Sequence, residues 1–365
     1  MNPQTALAAL LSGAALVVAA GCGSDDAKTS TTKSTAAATD AAQLSAVKDY
    51  LTQHTAQLVK DTATLEGTAA KYDALAKSVD YDYAKLLATK REEVAGLVKA
   101  GQDQFAAANP AYEQMEGVVA GVPSLADFDV IIDAGSDKSD PENAVPFSVK
   151  TEDGRTFEQP GNYNYLVETS FFGTDAKFAA KGVQPDLDGD GKVEFGEALP
   201  DAQFLAAATR DFAATAKELD EQAKKYQPTL QDAMTALVVM TPTMSEYFEA
   251  WKNSRFVAGS KSKEKAFVVA SRLQDIKDIL GGLVVVYDQV EPSIAKVDSA
   301  QAKQTGTDLV ALRDFALQLK EAEDGGKKFT AQDADTLGGQ AQDRAEGIAG
   351  QVSQAAGRLN ITLES

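Results

Sequence analysis

Apolar residues recur along most of this chain at intervals of three, four and seven, with polar residues between them. Leu44, Val47, Leu51, His54, Leu58 and Leu65 form the first such seam, the stripe of a helix packed in a bundle. A second run through Tyr83, Leu86, Leu87, Val94, Leu97 and Val98 continues past Phe105 toward Pro110. Tyr112 to Val119 adds a further helical stretch, with Glu113 and Glu116 on one face at a spacing of three. In the second half, Phe204, Ala208, Phe212, Ala216 and Leu219 predict a helix ending near Pro228, followed by helices over 230–239 and 244–256. Phe267, Leu273, Ile276, Leu280, Leu283, Tyr287 and Val290 predict a long helix that stops before Pro292. Leu309 to Leu319 precede a Gly325-Gly326 break, and a last helix runs from Ala331 with Leu337, Ala341, Ala345, Ile348, Val352 and Leu359 inward.

Two stretches lack this period. Residues 122–162 hold Pro123, Pro141, Pro146 and Pro160, and F-S-V-K-T-E-D-G-R-T-F-E within them reads as a hairpin turning at Asp153-Gly154. The other is D-L-D-G-D-G-K-V-E-F-G-E. Asp186, Asp188 and Asp190 stand at positions one, three and five of a twelve-residue loop, and Gly191 takes the sharp turn at the sixth. Lys192 offers its backbone carbonyl, Glu194 adds a carboxylate, and Glu197 closes the loop at the twelfth position. This is the spacing of an EF-hand-type calcium loop, in which six to eight oxygens at about 2.3–2.6 Å surround one ion. Pro185 before it and Pro200 after it argue for a calcium clip fastening a connection, rather than a switch between two helices.

The expected fold is therefore all-α: two antiparallel helical bundles, a small irregular β-hairpin insertion, and the EF-hand-like loop between them. The boundaries expected are 41–182 for the first bundle with its insertion at 122–162, 183–200 for the loop, and 201–365 for the second bundle.

Composition narrows the function. Aromatics are only 7% of the 365 residues, which favours helix over sheet. A formal charge of −19, from 54 acidic and 35 basic residues, makes nucleic acid an unsuitable partner and suits a protein that attracts cations. The chain holds one cysteine, Cys22, so disulfides within it are excluded.

That cysteine closes an apolar run from Ala6 to Ala20, too short to span a bilayer and suited to an export signal. Ala19-Ala20-Gly21-Cys22 resembles a bacterial lipobox, which implies a signal peptide over 1–21 and lipid attachment at Cys22. Residues 22–40 then read as a disordered tether. The expected location is the cell envelope, anchored to a bacterial membrane and facing the periplasm or exterior.

Five segments in order resemble the imelysin family: P-A-Y-E-Q-M-E-G-V-V from Pro110, D-F-D-V-I-I-D-A-G from Asp127, Y-L-V-E-T-S-F-F-G-T-D from Tyr165, S-R-L-Q-D-I-K-D-I-L-G-G-L-V-V-V-Y from Ser271, and F-T-A-Q-D-A-D-T-L from Phe329. The resemblance implies paired helical bundles with a metal site in the cleft between them, in a family that includes iron-uptake lipoproteins and peptidases. The family's G-x-H-x-x-E signature falls on residues 163–168, where the glutamate is Glu168 and the histidine position is Tyr165. A phenol with a pKa near 10 is a poor ligand for zinc or ferrous ion at neutral pH. The only histidine, His54, lies on the inward stripe of the first helix, where it could face Glu116 and Glu168.

The expected cleft site is thus Tyr165, Glu168, Glu116 and His54. Inventory excludes a zinc H-E-x-x-H site, a thiol nucleophile, a G-x-S-x-G elbow and a phosphate loop. The leading expectation is a non-enzymatic, lipid-anchored protein. It would hold iron, another transition metal or a small metal-bearing ligand in an acidic cleft between the bundles for uptake, with an inner-membrane permease as partner. A divergent imelysin-type metallopeptidase and an acidic-polysaccharide-binding lipoprotein are the alternatives.

Overall fold

The structure, a computed structural model, describes residues 43–364; the expected signal segment over 1–21, the expected lipid site Cys22 and the expected tether over 22–40 lie outside the described residues. Five helices and a hairpin make up the first half: α1 (Ser45–Lys77), α2 (Tyr83–Val119), α3 (Ala126–Asp129), which runs into a π-helical turn (Val130–Ala134), then β1 (Ser148–Lys150), β2 (Thr156–Glu158), α4 (Tyr163–Phe172) and α5 (Ala202–Lys225). The second half is α6 (Leu230–Met240), α7 (Met244–Asn253), α8 (Arg255–Ala258), α9 (Arg272–Ala295), α10 (Ser299–Asp324) and α11 (Ala331–Arg358). No described helix is long and apolar enough to cross a membrane.

Helix α1 buries Val47, Leu51, Leu58 and Leu65 against α2 and α5, as its seam predicts. Helices α9, α10 and α11 pack in sequence, with α6 and α7 laid on α11. The boundary expected at residue 201 is not where the packing divides: α5 lies along α1 and so belongs with the first group. The two groups meet where α2 packs on α9, and one apolar core runs through both. Their approach depends on a bare backbone. A Cβ built on Gly282 of α9 would lie 2.3 Å from the Gln114 carbonyl oxygen of α2, so a larger residue would push the helices apart.

Local signals err at three places. Pro110 sits inside α2 and Pro292 inside α9, where burial along both helices outweighs the roughly 3 kcal/mol local cost of proline. Phe267, read as part of the long helix, precedes α9 and has φ of 55°. The hairpin forms as expected, with Val149 opposite Phe157 and Gly154 at φ 86°. It packs through Phe157 on Phe204, with ring centroids 4.5 Å apart, and nearby Phe147 stacks on Tyr163 at the same distance.

Candidate functional site

The α2–α9 contact encloses a group of acids. Glu113 and Glu116 lie one turn apart on α2, Asp129 ends α3, Asp133 stands on the π-helical turn, and Asp275 lies in the first turn of α9. All five are buried. Among the described residues the only basic side chain paired with them is Arg272, whose Nη1 donates to Asp275 Oδ2 at 2.8 Å. Its guanidinium lies between the rings of Tyr247 and Phe267, 4.4 and 3.9 Å from their centroids.

Neutral donors hold part of the group. The Tyr112 hydroxyl donates to Asp129 at 2.6 Å, the Tyr247 hydroxyl to Glu116 Oε1 at 2.5 Å, and Asn109 to Asp275 at 3.2 Å. Asn164 donates to Asp133 Oδ1 at 2.9 Å, while Asn162 ties the backbone of the π-helical turn to the start of α4 by donating to the carbonyls of Asp133 and Gly135. That turn matters because π-helical geometry re-aims a side chain that α-helical spacing would place elsewhere.

Three acceptors are left over. Both oxygens of Glu113 and Oε2 of Glu116 are buried and receive no donor from any other residue, while the two side chains are hydrogen-bonded to one another. Leaving an acceptor dry costs about 1–3 kcal/mol, and ionised carboxylates this close repel one another strongly. Burial accordingly pushes Glu116 up to about 8, Asp129 to about 7 and Asp275 to about 6, and raises Glu113 well above the usual range. Repulsion from neighbouring acids adds to burial in each case, and Arg272 opposes it.

These residues fit a cation. One oxygen from each of Glu113, Glu116 and Asp133 lies within 4.8 Å of the other two, a spacing one ion with metal–oxygen bonds near 2.0–2.6 Å can bridge. The donor set is entirely oxygen, which suits hard cations over those that prefer imidazole or thiolate.

The expected cleft residues separate. Glu116 is in the cluster. Glu168 is buried beside it, but its carboxylate accepts three successive backbone N–H groups, from Phe267 at 2.7 Å, Val268 at 2.8 Å and Val269 at 3.1 Å. Burial outweighs those bonds and lifts it to about 7. Tyr165 donates its hydroxyl to Asp175 at 2.7 Å, and burial first, then that carboxylate, keep the phenol protonated. His54 is half-buried, edge-on to Tyr50 at 4.4 Å, and desolvation lowers its pKa against the pull of Asp278. Neither Tyr165 nor His54 is hydrogen-bonded to the cluster. Glu113 was visible in the sequence as the i−3 partner of Glu116, Asp129 and Asp133 lie in the D-F-D-V-I-I-D segment, and Arg272 and Asp275 lie in the S-R-L-Q-D segment; none of these last four was singled out as a site residue.

In the loop after α4, the Asp186, Asp188 and Asp190 carboxylates converge within 4.8 Å. Asp186 caps the N–H groups of Gly189 and Gly191, and Asp190 accepts from Lys192 at 2.8 Å. Glu197 turns to the N–H groups of Leu187, Asp188 and Glu194, and the last of these bonds leads in holding its carboxyl below the usual range. An antiparallel bridge between Ala179 and Pro200 closes the base, and Gln102 of α2 donates to the carbonyl of Gly196 at 2.7 Å. The loop has no helix running into it: α4 ends at Phe172.

A family model for imelysin matches residues 68–352, well over half of the chain. The chain belongs to the imelysin family. No curated protein matches it. The matched span includes every residue of the buried cluster and the whole of the acidic loop.

Proposed function

We propose that this imelysin-family chain is an ion-binding protein of the cell envelope, holding a hard cation on Glu113, Glu116 and Asp133 for uptake. The observation that carries this reading is the convergence of Glu113, Glu116 and Asp133 oxygens in a place where Glu113 and Glu116 are bonded to each other and reached by too few outside donors, so that a cation would replace the proton they share. Asp129 and Asp275, already held by Tyr112 and Arg272, would orient the site and not ligate. Ferric iron, or another small hard metal ion, is the cargo class the oxygen donors suit. Export and lipid attachment at Cys22 complete the proposal from the N-terminal sequence.

Metal analysis of the purified protein, followed by calorimetric titration of the stripped protein with Mn²⁺ and Fe³⁺, tests it. The expected result is one ion bound outside the acidic loop, with Glu113→Gln/Glu116→Gln lowering its affinity by about 100-fold or more, since each ligand lost costs at least the tenfold of a disturbed metal shell. Wild-type protein that takes up no such ion would refute the reading. The family model also carries a peptidase designation; the enclosed cluster, with neither imidazole nor thiolate, favours storage of the ion over catalysis at it.

The proposal extends to calcium at Asp186, Asp188, Asp190, the Lys192 carbonyl, Glu194 and Glu197, with Glu197 swinging from its backbone partners onto the ion. Calcium there would clamp the crossover from α4 to α5. The melting temperature should rise with calcium and return to the chelator value in Asp186→Ala/Glu197→Ala. Equal melting temperatures for wild type with and without calcium would remove the clamp.

A further inference from the structure

The buried cluster needs a way in, and one segment stands over it. Residues 262–271 connect the turn after α8 to α9, and among the described residues 263–270 make no backbone-to-backbone hydrogen bond. Side chains from elsewhere hold them instead. Glu168 of α4 accepts the N–H groups of Phe267, Val268 and Val269. The Lys265 ammonium donates to Asp175 at 3.0 Å, and the Thr174 hydroxyl donates to the Lys265 carbonyl at 2.6 Å. Every one of these ties comes from α4 or the residues just after it.

The segment has two faces. On its outer side Val268 and Glu264 line a surface cavity of about 420 Å³, with Thr174, Phe195 and Arg255. On its inner side the Phe267 ring covers the Arg272 guanidinium, which in turn reaches Asp275, while Tyr247 beyond it reaches Glu116. Neighbouring residues of the segment thus face both ways, Val268 lining the cavity and Phe267 touching the guanidinium that pairs with Asp275. Phe267 holds φ of 55°, a conformation a bulky residue adopts only under constraint. Gly259, at φ 58°, supplies a pivot before the segment.

We propose that residues 262–271 are a strap through which ions enter and leave the buried cluster, with Glu168 as the clasp that holds it shut. The inference rests on the cluster being an ion site. In its ionised form the carboxylate suits the task because it offers acceptors only, and three bonds to a segment with no hydrogen-bond ladder of its own outweigh the segment's tendency to lift. When the clasp lets go, Phe267 leaves Arg272 and the cavity becomes continuous with the acids.

Glu168→Gln keeps the shape but turns an NH₂ group toward a backbone N–H donor. Hydrogen exchange at 267–269 should accelerate by about 10- to 100-fold, the factor set by losing a hydrogen bond to a charged group. Release of Mn²⁺ into a chelator, followed in the kinetic phase that Glu116→Gln removes, should accelerate by a similar factor. The far-ultraviolet spectrum should stay helical. Should Glu168→Gln fail to fold, Thr174→Val/Lys265→Ala cuts only the outer ties and should speed both processes by about 3- to 10-fold. Faster amide exchange with unchanged release would overturn the strap as the route and leave the ion site standing. Unchanged amide exchange would overturn Glu168 as the clasp. Wild type that binds no Mn²⁺ in this phase would overturn the ion site and the strap together.

Discussion

Arg272→Met should cost about 3–5 kcal/mol of stability at neutral pH, the penalty for removing one partner of a buried ion pair. Arg272 is 7% exposed, is bonded to Asp275 at 2.8 Å, and is among the described residues the one basic side chain paired with the Glu113–Asp275 cluster. Methionine fills much of the same space between Tyr247 and Phe267, so the loss would report charge more than packing. Urea unfolding measures it, and the double variant Arg272→Met/Asp275→Leu should recover part of the loss, because Asp275 is no longer left as an unpaired ion while Glu113, Glu116 and Asp129 still lack the guanidinium's charge. A single-variant cost under about 1 kcal/mol, the scale of an exposed ion pair, would mean that the guanidinium does not balance the cluster.

Metal-free protein should lose stability as the pH rises from about 4 to about 8. Glu116 near 8, Asp129 near 7, Glu168 near 7 and Asp275 near 6 are all raised by burial above their unfolded values near 4. Between the unfolded and folded values the native state binds more protons than the unfolded chain, so the stability slope is negative there and levels off above it. Each unit of upward shift corresponds to about 1.4 kcal/mol, and because the acids interact the loss belongs to the cluster as a whole. Several kcal/mol is the expected total, read as a falling urea midpoint across the window in chelator. A bound cation would take the protons' place and flatten the profile, as would Glu113→Gln/Glu116→Gln. A separate loss is expected below about pH 4. There Asp137, held near 2 by the Lys177 bond and its Ser139 partner against the effect of burial, becomes protonated. A midpoint constant from pH 5 to 8 in chelator would show that the cluster is not dry.

How much of the site was legible follows from the range of each signal. The Glu113 and Glu116 spacing is local and could be read directly, as could the acidic loop from Asp186 to Glu197. His54 looked inward because it shares the Leu51 and Leu58 stripe, yet at half-burial it meets Tyr50 and not the acids. Tyr165 occupies the position of a family ligand, but its hydroxyl is taken by Asp175, ten residues on. Phe267 matched the apolar period of α9, and only Glu168, about a hundred residues earlier, explains why its N–H leaves the helix.

Apolar periodicity by itself determined most of the long helices and their inward faces, and the Asp153-Gly154 turn marked the hairpin, because each depends on neighbours within a turn or two of the same segment. It also determined that the chain is all-α, and the family model bears out the resemblance read from its motifs. Tertiary structure alone decided which of 54 acidic residues leave water. Burying Glu113, Glu116, Asp133 and Asp275 together requires α2 to meet α9 at a bare glycine and the π-helical turn to close beside them. A carboxylate's ionisation and its reach for a cation depend on those distant surfaces, not on its neighbours in the chain.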